Sequence, residues 1–182
     1  MSERPQLIDI DTFRSLARPT SAHLDEEEVN AYIRECEDKY IVQPMGWPYF
    51  RAAIGLTPWE EVCDASFEAD TFLDGGQWTE TTKDGKQIPH YCNGLKRALA
   101  YFIYARMVRA DGAILSRSGN VRHNDQYADH HSDPSRNIYE DTMAMAEAYL
   151  AEAMLYFNFH RLESTDEAKP IRSSRIHIHA IG

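Results

Sequence analysis

The sequence predicts a mainly α protein: a helical bundle of about four to five helices, with a small β-hairpin or extended arm and an extended C-terminal tail. Three observations predict it. Apolar residues recur at helical spacing within residues 25–45, 94–116 and 134–160. The stretch 71–90, TFLDGGQWTETTKDGKQIPH, breaks that period with two turn signals. The final RIHIHAI alternates with a period of two. The expected division is a helical domain over residues 1–162, with the arm inserted at about 71–90, and a C-terminal arm over 163–182.

Taken in order, IDIDTFRSLARPT gives a short helix, capped by Asp11 and ended by Pro19. LDEEEVNAYIRECEDKYIVQPMG starts with a capping-box-like pair, Asp25 and Glu28. Val29, Tyr32, Ile33, Cys36 and Tyr40 follow at helical spacing, and Pro44 and Gly46 stop the helix. WPYFRAAIG adds one or two turns. TPWEEVCDASFEA predicts a helix with Thr57 as cap, Pro58 at its first position and Glu60 in its first turn. In the arm, Gly75-Gly76 and Asp84-Gly85 are the turn signals.

A long helix is predicted from about Gly94 to Ser116. Leu95, Leu99, Phe102, Ile103 and Met107 lie on one face, and Tyr101, Tyr104 and Val108 on the other. A helix apolar on both faces is buried on both. It is either the central helix of a bundle or shared with a neighbouring subunit. A last long helix opens at Asp133 and Pro134 and runs to about His160, with Tyr139, Met143, Ala146, Leu150, Ala153 and Phe157 as its stripe. In the tail, Ile176, Ile178 and Ala180 alternate with His177, His179 and Ile181. That pattern suits a strand added to a sheet edge on another chain, or a frayed terminus.

The 182 residues fit one compact domain, or a core with arms, and 43% hydrophobic residues can fill that core. The net charge of −10 argues against gripping nucleic acid through phosphates. Cys36, Cys63 and Cys92 form no CxxC pair, which points to reduced core thiols in a cytosolic compartment. No apolar run is long enough for a membrane span, and MSERPQLIDIDTF does not read as a signal peptide.

The richest polar constellation is His123, Asp125, Asp129, His130, His131 and Asp133. Imidazole and carboxylate suit zinc or iron. The spacing is not that of a helical HExxH pair, and a polar loop explains the same letters without metal. His177 and His179 are a weaker pair of the same kind. Ser116, Ser118, Cys92 and His123 carry no nucleophile signature, and DGGQ and SGN match no phosphate-binding loop. Lys96, Arg97, Arg106, Arg109, Arg117 and Arg122 flank the long helix and its loop. They pair with the acidic second helix or face an acidic partner.

The order of parts adds a resemblance. AYIRECEDKYIVQPMGWPYFRAAI, then FLDGGQW, then NGLKRALAYFIYARMV with SGNV after it, resembles the small head–tail connector proteins of tailed bacteriophages. These are adaptor or neck-ring subunits, and the likeness is greatest to those of phages of Bacteroidetes, including crAss-like phages. It covers roughly residues 8–160. It implies a helical bundle in a closed ring, commonly dodecameric, below the portal in the virion neck, with the host cytoplasm as the place of assembly. The implied partners are further copies of the chain, the portal protein and other neck or tail proteins. DNA would pass nearby without specific binding. No catalytic residue, metal or other cofactor is implied.

On this reading Tyr101, Tyr104 and Val108 are expected at a subunit contact, and Arg172, Arg175, Ile176 and Ile178 at a partner contact. The His-rich loop and the long tail depart from the connector pattern. The alternatives are a metal-dependent helical-bundle enzyme using the loop 123–133, and a regulatory dimer with the apolar helix as its interface.

Overall fold

The computed structural model describes residues 4–18, 25–111, 114–116, 119–121 and 134–162. The chain is mainly helical, with a two-stranded antiparallel hairpin. Ile10–Leu16 forms α1. Its cap is Asp9, not the expected Asp11: the Asp9 carboxylate accepts from Thr12 N, and Asp11 lies in the first turn. Glu26–Cys36 forms α2, capped as expected by Asp25, which accepts from the N–H groups of Glu27 and Glu28. The capping box is not reciprocal, because the Glu28 carboxylate takes the Tyr32 hydroxyl at 3.3 Å.

The second helix does not stop at Pro44. It continues through a π-helical turn, Glu37–Val42, into α3, Gln43–Met45. Proline lacks the N–H for the helical ladder, and the wider π-turn loosens that ladder just ahead of it. The stop comes at Gly46, whose φ of 90° belongs to glycine. Trp47–Ala53 then forms α4.

The helix expected over TPWEEVCDASFEA is absent. A single 3-10 turn, Trp59–Glu61, is all that forms, and Thr57 caps nothing. Tertiary contacts override the local pattern. Cys63 makes an antiparallel bridge with Arg161, Asp64 N donates to His160 O, and the Trp59 ring packs on Phe67 and Phe72. Ala69–Leu73 forms α5.

The expected arm is the hairpin of β1, Gly76–Thr81, and β2, Gln87–Cys92. Trp78 faces His90 across it, with rings stacked at 4.5 Å. Inward and outward residues alternate along both strands, so one face packs on the bundle.

Leu95–Asp111 forms α6. It is shorter than the predicted 94–116, since Ile114–Ser116 pairs antiparallel with Gly119–Val121. The sequence does supply a stop there in Asp111-Gly112. Pro134–His160 forms α7, 27 residues long, ending where the spacing predicts.

The core centres on α6. Leu95, Leu99, Phe102 and Ile103 are essentially fully buried. The helix packs most extensively on α7, and also on α1, α2, the π-turn and α5. Tyr40 of the π-turn stacks on Phe102, 4.2 Å between centroids and 4° from parallel. Tyr101 meets Tyr149 edge-on at 5.2 Å. Within the chain α6 is the central helix of the bundle: its face of Leu95, Leu99, Phe102 and Ile103 is covered, while Tyr101, Tyr104 and Val108 on the other are half-buried.

One buried group is out of place in this core. Thr142, fully buried on α7, has a hydroxyl with no hydrogen-bond partner among the described residues. Burying an unpaired hydroxyl costs about 1–3 kcal/mol, and valine has nearly the same shape. Thr142→Val is expected to raise stability by about 1 kcal/mol in denaturant unfolding; a loss would mean that the hydroxyl is bonded in solution.

Candidate functional site: the outer face of α7

The positions that α7 turns inward are Thr142, Ala146, Ala153, Tyr156, Phe157 and His160. A second set lies on the solvent side. Ile138 is 40% exposed, Met145 36%, Leu155 49% and Phe159 44%, and Leu162 just beyond is 43% exposed. Single exposed apolar residues are ordinary. These are aligned: positions 138, 141, 145, 148, 152, 155, 159 and 162 alternate by three and four, the spacing of a helix-pairing seam. Asp141 and Glu152 interrupt it. Asp141 is held by Arg18, and Glu152 accepts from the Asn93 amide groups. Phe159 adjoins Trp78 of β1 at 5.4 Å, so the seam continues toward the hairpin.

A polar clamp that no motif signals locks the C-terminal end of α7. His160 Nδ1 lies 3.2 Å from Ser66 Oγ and 3.2 Å from an Asp64 oxygen. Ser66 Oγ also donates to Asp64 at 2.6 Å. In a Ser-His-acid relay the serine and the acid use opposite ring nitrogens. Here both crowd Nδ1, so the group fastens the loop at 64–66 and is not arranged for acyl transfer. The Ser66 bonds and His160 hold the Asp64 carboxyl below the usual carboxylate range. Such a group stabilises the fold above its unfolded value, and that contribution is lost as pH falls through the lower folded one.

All three cysteines are free and buried. Burial pushes the thiols of Cys36 and Cys63 up to about 12 and raises that of Cys92, so none is a ready nucleophile near neutral pH. Of the basic residues, Arg106 does pair with Glu35 of α2, at 3.1 Å. Lys96 instead pairs with Asp74, and Arg109 lies over the Tyr139 ring. An open cleft of about 510 Å³ between the N-terminal segment and α2 is lined by Gln6, Glu27, Asn30, Ala31 and Arg34. That lining is polar, unlike most small-molecule sites.

Tyr101, Tyr104 and Val108 are half-buried on α6, and the two tyrosines pack against the core. The loop residues His123, Asp125, Asp129, His130, His131 and Asp133 lie outside the described residues. So do Arg172, Arg175, Ile176, His177, Ile178 and His179. Among the described residues no group of three or more His, Cys, Asp or Glu is placed to hold a metal. No helix there is long and apolar enough to cross a membrane.

The chain belongs to a family of unknown function, DUF6712, whose model matches residues 53–169. No curated protein and no solved structure matches it.

Proposed function

We propose that the chain is a structural virion protein, one subunit of a ring at the neck of a tailed bacteriophage that joins the portal to the tail and lines the DNA channel. One observation carries the assembly part: the aligned, exposed apolar seam of α7, which a solitary bundle has no reason to leave in water. On this reading α7 is the principal subunit contact. The half-buried Tyr101, Tyr104 and Val108 of α6 remain candidates for a further one.

The connector resemblance supports the setting. Its three most specific stretches build the frame that presents the seam. KYIVQPMG makes the π-turn and the Gly46 corner, LDGGQW the joint into the hairpin, and GLKRALAYFIYAR the central helix. The net charge of −10 suits a wall past which DNA slides. The ring is expected to hold twelve copies, bound to the portal and to other neck or tail proteins, with no catalytic step and no cofactor.

The test mixes the purified chain with its portal ring and measures mass and shape by native mass spectrometry and electron microscopy. A twelve-copy collar on the portal is expected. Leu155→Glu with Phe159→Glu should abolish it while helix content is kept. A chain that ignores the portal and forms a fixed dimer alone would leave the regulatory-dimer reading in its place.

A further inference from the structure

We propose that the outer face of α7 in one copy is the seat of residues 169–181 of a second copy. The inference rests on the assembly role given to that face and names its occupant. Charge chooses the occupant. α7 carries Glu140, Asp141, Glu147 and Glu152 against one cation of its own, Arg136, which pairs with Glu140, while Arg18 holds Asp141. Two α7 faces laid together would still set two acidic surfaces against each other. Residues 169–181 hold Lys169, Arg172 and Arg175 and no carboxylate. With those three cations set aside, residues 1–168 sum to −13 against −10 for the whole chain. The tail is the basic part of an acidic protein.

Length and apolar content agree. Thirteen residues reach about 43–47 Å when fully extended, and a helix of 27 residues is about 40 Å long. Ile171, Ile176, Ile178 and Ile181 supply side chains for Met145, Leu155 and Phe159 to bury. The tail's own α7 is the poorer seat. The outgoing chain is held at Arg161 and Leu162 by its bridge to Cys63 and a bond to Val62 O, which fix the point where it leaves α7. The tether 163–168 carries Glu163, Asp166 and Glu167, which a return would draw across the acidic helix. In an array of copies each tail engages a neighbour, and such links gain by multiplicity.

The experiment places a photo-cross-linking residue at position 155 of the full chain and assembles an equal mixture of isotope-labelled and unlabelled copies. Cross-links from position 155 to peptides within 169–181 are expected, about half of them joining a labelled to an unlabelled chain. Joins within one label only, or joins to α7 or any other segment, overturn the proposal. Lys169→Glu with Arg172→Glu and Arg175→Glu should cut the mixed product at least tenfold, and an unchanged yield removes the charge argument on which the proposal stands. Portal binding separates this inference from the one beneath it. If the Leu155→Glu, Phe159→Glu chain fails to assemble while a chain ending at Ala168 assembles fully, the seam stands and its occupant is wrong. If both assemble normally, the assembly role of the face falls too.

Discussion

Replacing Gly94 with alanine is expected to destabilise the protein by about 3–5 kcal/mol, as strain and overlap add. Gly94 has φ +89°, a region that L side chains avoid. A Cβ there would stand 2.7 Å from Leu73 O, from Asp74 C and from Gly75 N. All three are backbone atoms of the α5–β1 turn, so no side chain can swing aside. The neighbouring turn is equally close from its own direction: a Cβ on Gly75 would lie 2.8 Å from Cys92 O. The two glycines let the entry and exit of the hairpin cross at contact distance, immediately before the central helix. Gly85→Ala is the control. Its φ is also positive, at +76°, but no atom of the described residues beyond its chain neighbours lies within 4 Å of the added carbon, so only about 1 kcal/mol of backbone strain is expected. Equal losses for the two variants in denaturant unfolding would refute the close-crossing argument.

The second large effect is expected at Glu37. Its side chain is fully buried at the start of the π-turn. One oxygen accepts from Leu7 N and the other from Arg4, at 2.8 Å. The Arg4 guanidinium also lies 5.2 Å from the Phe50 ring centroid and 5.8 Å from that of Trp47. The carboxylate thus pins the N-terminal segment to the π-turn and α4. Glu37→Ala leaves a buried N–H unpaired and takes from Arg4 one of its two carboxylate partners, Asp38 remaining at 2.7 Å, at a cost of about 2–3 kcal/mol. Glu37→Gln keeps an acceptor for Leu7 N and should cost less.

The two substitutions also differ in pH dependence. Burial raises the Glu37 carboxyl above the ordinary glutamate value, and it outweighs the opposing pull of the Leu7 hydrogen bond and of Arg4. A raised folded value means that the fold favours the protonated form. That contribution is complete below the unfolded value and is lost as pH rises through the folded one. Relative to Glu37→Gln, the natural protein should gain stability as pH falls through the window between those two values. A parallel pH profile for the two proteins would show that the carboxyl is not desolvated.

How much of this was legible in the sequence can be followed residue by residue. Asp25 announces the start of α2, Asp84-Gly85 the hairpin turn, and Pro134 and His160 the ends of α7, because caps, turns and helical stripes are local and their chemistry is written in adjacent letters. The mainly α class and the hairpin at 76–92 follow from those signals alone; the second strand pair, Ile114–Ser116 with Gly119–Val121, does not. Segments governed by distant partners did not follow. Residues 57–68 carry a good helix start, yet Arg161, His160 and the Trp59 ring contacts hold them in another course. Asp9 displaced Asp11 as a cap by a shift of two residues that no periodicity resolves.

The candidate site shows the same division more sharply. Periodicity reveals that a face is apolar; it does not reveal what covers the face. By sequence, α6 was either the central helix of a bundle or a helix shared with a neighbour, and α7 had a single stripe. In the tertiary structure α1, α2, α5 and α7 pack on α6, leaving Tyr101, Tyr104 and Val108 half-buried, and α7, at the edge of that packing, keeps Ile138, Met145, Leu155 and Phe159 in water. The sequence by itself determined which residues are apolar and which elements carry them. Only the packing of one helix against four others decided which apolar face was left over, because burial depends on the position of every other element at once.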